Sequence, residues 1–152
     1  MAREYSIAFN NIIYDGDFEK LPNHKGIYMF RVTEVKDDGL YYPKVVYIGV
    51  AEGEDGLSGR VNEAHERLDD ARNLVEKEKK LGKNTILTIA YTDEASDCND
   101  SWKRIEATLI FCKKPTLNTD GKESFNYYKT TVNVSGSRYR DLKKQYIAEK
   151  TE

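Results

Sequence analysis

The sequence predicts an α+β domain in which a small mixed sheet is flanked by helices. Three apolar runs rich in β-branched and aromatic residues, too short for typical helices, occur at Gly26–Val35, 45–51 and 85–91. Apolar residues spaced three and four positions apart follow the second and third of these runs. The core order is therefore β-β-α-β-α, with an extension at each end.

Turn residues bound the strands of the first half. Residues 7–14 have strand composition and end at Asp15-Gly16-Asp17. The next two strands are Gly26–Val35 and 45–51, and Asp37-Asp38-Gly39 lies between them. These two strands are predicted to pair as a hairpin with a long connection.

Two helices are predicted from apolar stripes. The first runs over 57–81 and ends at Gly82, because glycine favours helix termination. A strand at 85–91 follows it. The second helix ends before Pro115. The first stripe consists of Leu57, Val61, Ala64, Leu68, Ala71 and Val75, and the second of Trp102, Ile105, Leu109 and Cys112.

The C-terminal extension, about 120–152, is predicted to add a late strand and a short helix. Residues 127–134 alternate moderately between apolar and polar types, as in a half-buried strand. Residues 137–149 are predicted as a short basic helix.

Composition limits the class of protein. With 152 residues the chain is expected to form a single domain over 1–152. No apolar run is long enough to cross a membrane, and the first ten residues lack a signal-peptide pattern. Two cysteines are too few for a disulfide framework. A cytoplasmic protein with no membrane partner is expected.

Charge is distributed unevenly along the chain. The net charge is −2, with −6 in residues 1–99 and +4 in residues 100–152. A polyanionic partner is therefore expected to contact the C-terminal third. An ordinary uneven surface is the alternative.

Two tripeptides lie in the adjacent strands of the predicted hairpin: Gly26-Ile27-Tyr28 and Tyr47-Ile48-Gly49. Leu57-x-x-Arg60, Glu106 in the second helix and Pro115-x-x-Asn118 follow in order. Over about 25–118 the chain thereby resembles the GIY-YIG nuclease superfamily of homing endonucleases, restriction enzymes and the bacterial excision-repair nuclease. The long separation of Tyr28 from Tyr47 and the acidic loop 52–55 are more like the restriction-enzyme branch.

The resemblance implies a divalent-metal-dependent DNA endonuclease with a GIY-YIG fold. In that interpretation Tyr28 takes a proton from the attacking water, and Tyr47 positions or shares this role. Arg60 neutralises the scissile phosphate, and Glu106 binds Mg²⁺ or Mn²⁺. The products would carry a 5′-phosphate and a 3′-hydroxyl. Cutting both strands would require a homodimer or two sequential nicks.

Glu106 and Arg60 are also candidate functional residues on physical grounds that do not depend on the family resemblance. On an ideal helix Glu106 lies about 40° from Trp102, inside the apolar stripe. A carboxylate buried there needs a metal, an arginine or a hydroxyl as partner, or forms a structural ion pair. Arg60 lies about 60° from the centre of its stripe and can bury its stem while its planar guanidinium faces a phosphate.

His65 and Asn118 are weaker candidates for catalysis. Family members with a histidine here place it four residues after the arginine, whereas this chain has Ala64 there and His65 at five. On one continuous helix, a five-residue spacing turns His65 about 140° away from Arg60. His65→Ala is therefore expected to be tolerated. Asn118 either ties the chain after the second helix to the active site or has a purely structural role in a turn.

Basic residues alternate with tyrosines in the C-terminal extension, a composition that suits a nucleic-acid backbone and exposed bases. Arg138, Arg140, Lys143 and Lys144 are predicted to bind DNA. A solvated basic face on a packed strand and helix is the alternative. A second function also stays open: a catalytically silent nucleic-acid-binding or protein-interaction module on the same scaffold.

Overall fold

The computed structural model describes residues 1–63 and 65–151, which form one six-stranded mixed sheet and three helices. The strands are β1 (Arg3–Tyr14), β2 (Gly26–Val35), β3 (Tyr41–Ala51), β4 (Thr85–Thr92), β5 (Thr130–Ser135) and β6 (Gln145–Ala148). The helices are α1 (Gly56–Asn62), α2 (Glu66–Lys80) and α3 (Trp102–Lys113). Within the described ranges, no helix combines the length and the apolar composition that crossing a membrane requires.

The sheet order is β3-β2-β4-β1-β5-β6, and every neighbouring pair is antiparallel except β1 and β5. Strand β1 is long because it joins two parts of the sheet. Its first half pairs with β5, and its second half pairs with β4 after a register shift between Phe9 and Asn11. Both extensions of the chain therefore contribute strands to the same sheet.

Each face of the sheet carries its own apolar core, because successive side chains of a strand point to opposite faces. Ile27 and Met29 of β2 pack with α3, whereas Tyr28 and Phe30 pack with α1 and α2. Burial on both faces explains why β2 reads as a nearly continuous apolar run.

The structure confirms the predicted strands at Gly26–Val35 and 85–91 and the second helix. The late strand is confirmed as β5, and strand 7–14 is confirmed as the second part of β1. Strand β3 begins earlier than predicted, with Val35 paired to Tyr41. The long hairpin connection is therefore wrong. Because the strands continue past the apolar run, the connection is short.

The single helix over 57–81 is also wrong. α1 ends at Asn62, and α2 begins at Glu66 with His65 as its N-cap residue. The His65 side chain accepts a hydrogen bond from the Arg67 backbone N–H at 3.2 Å. Apolar residues on both sides of the interruption face the same core, so hydrophobic spacing alone conceals it.

The predicted basic helix at 137–149 is wrong as well. Residues 136–144, here called the C-terminal strap, cross to the sheet without helical structure, and β6 then pairs with β5. Gly136 and Asp141 have positive φ angles of 103° and 71°, which interrupt a right-handed helix. Tyr146 and Ala148 are buried while Gln145 and Ile147 are exposed, an alternation typical of a strand.

The chain after α3 covers part of the edge strand β3. The Leu117 backbone N–H donates to the Val46 carbonyl. The Asn118 side-chain amide accepts from the Ile48 N–H and donates to the Ile48 carbonyl, both at 2.9 Å. Asn118 therefore acts like a neighbouring strand residue and ties the segment after α3 to β3.

Asn118→Ala is expected to destabilise the fold by about 2 kcal/mol, because both Ile48 backbone groups lose their partners. At this chain length that corresponds to a fall in Tm of roughly 4–8 °C. Thermal unfolding followed by circular dichroism measures it. Thr119→Ala, an exposed position in the same segment, is the matched control. A fall no larger than that of the control would contradict the structural role of the amide.

Candidate functional site

A cavity of about 530 Å³ lies beside β3 and is lined by residues of β3, α1, the α1–α2 junction, the start of α2, α3 and the loop after α3. Five residues singled out from the sequence line it: Tyr47, Arg60, His65, Glu106 and Asn118. Residues far apart in the chain therefore meet at one site. Tyr28 lies behind this lining and is fully buried.

Strand pairing determines the positions of the two tyrosines. Tyr47 pairs with Phe30, two residues beyond Tyr28, so both phenol rings lie on the α1–α2 face. Their centroids are 6.2 Å apart. Tyr28 pairs with Gly49, and a side chain at Gly49 would overlap the Tyr28 ring. The glycine of the second tripeptide is therefore required by the tyrosine of the first.

The interruption between α1 and α2 brings His65 to Tyr28. His65 Nε2 lies 2.8 Å from the Tyr28 hydroxyl. Because Nδ1 accepts the Arg67 N–H, a neutral imidazole carries its proton on Nε2. Nε2–H therefore donates to the Tyr28 oxygen, and the Tyr28 hydroxyl hydrogen is free to point elsewhere.

Burial keeps His65 neutral. It lowers the His65 pKa to about 4, and the positive charges of Arg60 and Arg67 act in the same direction. At neutral pH His65 is thus a fixed hydrogen-bond donor to Tyr28. The predicted placement of His65 on the far side of a continuous helix is wrong, because the helix breaks between Arg60 and His65.

The two phenols differ in their surroundings. Burial raises the pKa of Tyr28 far above its ordinary value, and the neighbouring Tyr47 adds to the rise. Burial also raises the Tyr47 pKa, but Arg60 and the interaction with Tyr28 oppose that rise. Tyr47 lines the cavity. Of the two, Tyr47 is therefore the one that contacts solvent in the cavity and the one whose phenolate Arg60 stabilises.

Glu106 of α3 is half-buried and opens into the cavity. Burial raises its pKa to about 7. Lys103, Arg60 and the Val50 backbone amide oppose the rise, whereas the negative charge of Glu52 adds to it. A carboxylate in this apolar stripe needs a partner, and these three groups offset only part of the effect of burial on its pKa. Glu106 is thus suited to bind a cation.

Glu106 is the cavity residue best placed to hold a metal ion. In 1–63 and 65–151 there is no group of three or more His, Cys, Asp or Glu side chains arranged to hold one. Glu66 and Asp120 also line the cavity but are exposed, whereas Glu106 is half-buried. Mg²⁺ is commonly bound by one or two carboxylates, several waters and substrate oxygens, so a half-buried carboxylate facing an open cavity fits that ion.

Arg67 was missed at the sequence level. Its backbone N–H determines the His65 tautomer, and the residue also lines the cavity. A sequence signal for the start of a new helix next to Arg67 was present: Glu66 and Asp69 are acidic residues typical of a helix's first turn. The four predicted DNA-binding residues Arg138, Arg140, Lys143 and Lys144 do not line this cavity.

Comparison of the chain with protein-family models, with curated proteins and with solved structures found no match.

Glu106→Gln is expected to stabilise the metal-free protein increasingly as pH rises. The folded-state pKa of about 7 exceeds the ordinary glutamate value, so the stability contributed by protonated Glu106 is full below about pH 4.5 and lost as pH rises through about 7. Glutamine stays neutral throughout. The variant's advantage in unfolding free energy should therefore grow by on the order of 2 kcal/mol across this window.

Urea unfolding in the presence of a chelator, repeated at several pH values, measures this difference. Glu123→Gln, at an exposed position outside the cavity, is the matched control and should show no such trend. A constant difference between wild type and Glu106→Gln from pH 4.5 to 8 would contradict the effect of burial.

Proposed function

We propose that this protein is a divalent-metal-dependent DNA endonuclease with a GIY-YIG fold and active site. One observation carries the proposal: Tyr47, Arg60, His65, Glu106 and Asn118 line the same cavity, with Tyr28 hydrogen-bonded directly behind it. A chance match of short motifs gives no reason for residues so distant in the chain to converge. The adjacent antiparallel strands that carry the two tripeptides support the same interpretation.

Arg60 is the residue proposed to bind the scissile phosphate. It lies in the last turn of α1, is exposed and lines the cavity. Its guanidinium is permanently charged and presents paired donors that match phosphate oxygens. From the same position, its charge lowers the pKa values of Tyr47 and Glu106 against the effect of burial.

Tyr47 is the residue proposed to accept a proton from the attacking water. It faces the cavity, and its phenolate is favoured by Arg60 and by the hydroxyl of Tyr28. His65 donates to Tyr28 and so orients that hydroxyl toward the neighbouring phenol. Tyr28 and His65 are positioning residues in this arrangement, whereas the sequence alone favoured Tyr28 as the base.

Glu106 would hold Mg²⁺ or Mn²⁺ in the same cavity. When bound, such an ion neutralises charge that develops on the phosphate and the leaving oxygen. Asn118 holds the edge of β3 on which Tyr47 lies.

One active site of this kind cuts one DNA strand at a time. Nicks with 5′-phosphate and 3′-hydroxyl ends are therefore the proposed products, and a homodimer would allow cutting of both strands. A restriction-enzyme-like role is part of the proposal, since the β2–β3 hairpin and the loop 52–55 are extended.

The deciding experiment is nicking of supercoiled plasmid with Mg²⁺ or Mn²⁺. Wild type is expected to nick, and Glu106→Ala is expected to be inactive while it keeps its fold and most DNA binding. Glu123→Ala is the matched control and should cut like wild type. Cutting by Glu106→Ala at the wild-type rate would refute the metal role. DNA binding without cleavage by wild type would favour the silent module instead.

Tyr47→Phe should lower the single-turnover rate by about 10²–10⁴-fold with little change in DNA affinity, because only the proton acceptor is lost. Tyr28→Phe and His65→Ala should cause smaller losses. Burial raises the Tyr47 pKa above its ordinary value. The wild-type rate should therefore keep rising with pH through the alkaline range, as the Tyr47 phenolate fraction grows, and Tyr47→Phe should lose this dependence. A larger loss in Tyr28→Phe than in Tyr47→Phe would make Tyr28 the base.

A further inference from the structure

A second cationic site lies on the α3 face of the sheet, between the β2–β3 hairpin and the C-terminal strap. It is a pocket of about 200 Å³ and shares no lining residue with the Glu106 cavity. Its lining includes three arginines and five residues with hydroxyl groups: Arg31, Arg138, Arg140, Tyr14, Thr33, Tyr41, Thr88 and Ser137. Three arginines therefore line one small space together with residues that carry hydroxyl groups.

Arg31 is the central residue of this pocket. It is only 3% exposed, although it lies in the middle of the apolar strand β2. Its Nε donates to Thr88 Oγ1 at 3.2 Å and its Nη1 to the Arg138 carbonyl at 3.0 Å. Both acceptors are neutral. Nη2 makes no hydrogen bond with the described residues and keeps some exposure to the pocket, so it can donate to an anion bound there.

The protein does not supply that anion. Asp141 is the carboxylate whose charge reaches Arg31, but its Oδ2 accepts from the Val45 N–H at 2.8 Å and pairs with Lys113 at 3.2 Å. Arg138 and Arg140 instead add positive charge beside Arg31. Burial, followed by Arg138, lowers the Arg31 pKa to about 10, so the group stays charged at neutral pH.

The chemistry of the lining selects the ligand. Planar guanidinium groups bind phosphate oxygens through paired charge-assisted hydrogen bonds, and hydroxyls add neutral donors. Thr33 and Thr88 hydroxyls lie 3.0 Å apart and hold a fixed orientation next to Arg31. A doubly charged tetrahedral oxyanion satisfies several donors at once, whereas a halide ion cannot span them.

We propose that this pocket binds a phosphate group, with Arg31 as the fixed donor and Arg138 and Arg140 enclosing it from the strap. The bound phosphate would join the strap to β2, because its partners lie on both. Two sources share this chemistry: a backbone phosphate of DNA outside the cleavage cavity, or a free phosphorylated small molecule. The proposal does not depend on nuclease activity.

Inorganic phosphate is the probe for the test, titrated into the full chain at constant ionic strength with chloride as the balancing ion. We expect saturable broadening or shift of the ³¹P signal and a saturable rise in Tm. At a hundredfold excess over Kd the rise should be about 5 °C or more. Arg138→Gln and Arg140→Gln should each weaken phosphate binding at least about tenfold, by loss of a charge-assisted contact.

Lys77→Gln is the control, because it removes one positive charge at an exposed position of α2 that lines neither this pocket nor the Glu106 cavity. It should bind phosphate like wild type. Arg31→Lys keeps the charge but loses the planar donors, and it should also weaken binding. If Arg31→Lys fails to fold, the two strap variants still decide. Absence of saturable binding, or equal loss in Lys77→Gln, would overturn the proposal.

Binding of a duplex oligonucleotide distinguishes the two sources. If the phosphate belongs to DNA, Arg138→Gln and Arg140→Gln should weaken DNA binding more than Lys77→Gln, and inorganic phosphate should compete with DNA. If it belongs to a small molecule, all three variants should bind DNA alike. Glu106→Ala should keep phosphate binding at the pocket, so failure of the nuclease proposal and failure of this one give different results.

Discussion

The hydrogen bond between the Tyr28 hydroxyl and His65 Nε2 is the interaction on which the candidate active site depends. A phenol as deeply buried as Tyr28 needs a partner, and burial in low dielectric makes an unsatisfied hydroxyl costly. His65 can reach it only because α1 and α2 are separate helices. The other imidazole nitrogen caps α2, so one side chain hydrogen-bonds both the first turn of a helix and the buried phenol.

The edge of the sheet provides the second constraint. β3 is the terminal strand, and exposed edge groups normally invite unwanted pairing. Leu117 and Asn118 cover the middle of this edge, while Tyr47 faces the cavity from the same strand. Gly49 in turn makes room for the Tyr28 ring. The cavity thus lies at a sheet edge where backbone groups of β3 have hydrogen-bond partners while the Tyr47 side chain faces the cavity.

The Glu106 cavity and the Arg31 pocket differ in charge composition. The cavity combines cationic Arg60 with the carboxylate of Glu106, an arrangement suited to a phosphate together with a metal ion. The pocket under the C-terminal strap holds three arginines and no carboxylate in its lining. A net charge of −2 gives no indication of this separation, because it averages over surfaces that face different ways.

The sequence alone determined the elements whose signals are local: β2, β4 and α3 follow from the composition and spacing of neighbouring residues, and Glu106 stands out within an apolar stripe. Only tertiary structure decided the break before His65, because the apolar stripe continues across it and the stabilising partner is Tyr28 in another element. The same holds for the strap and for Arg31, whose neighbours come from the far end of the chain. Periodicity reports which face a residue occupies, but it cannot report which distant group shares that face.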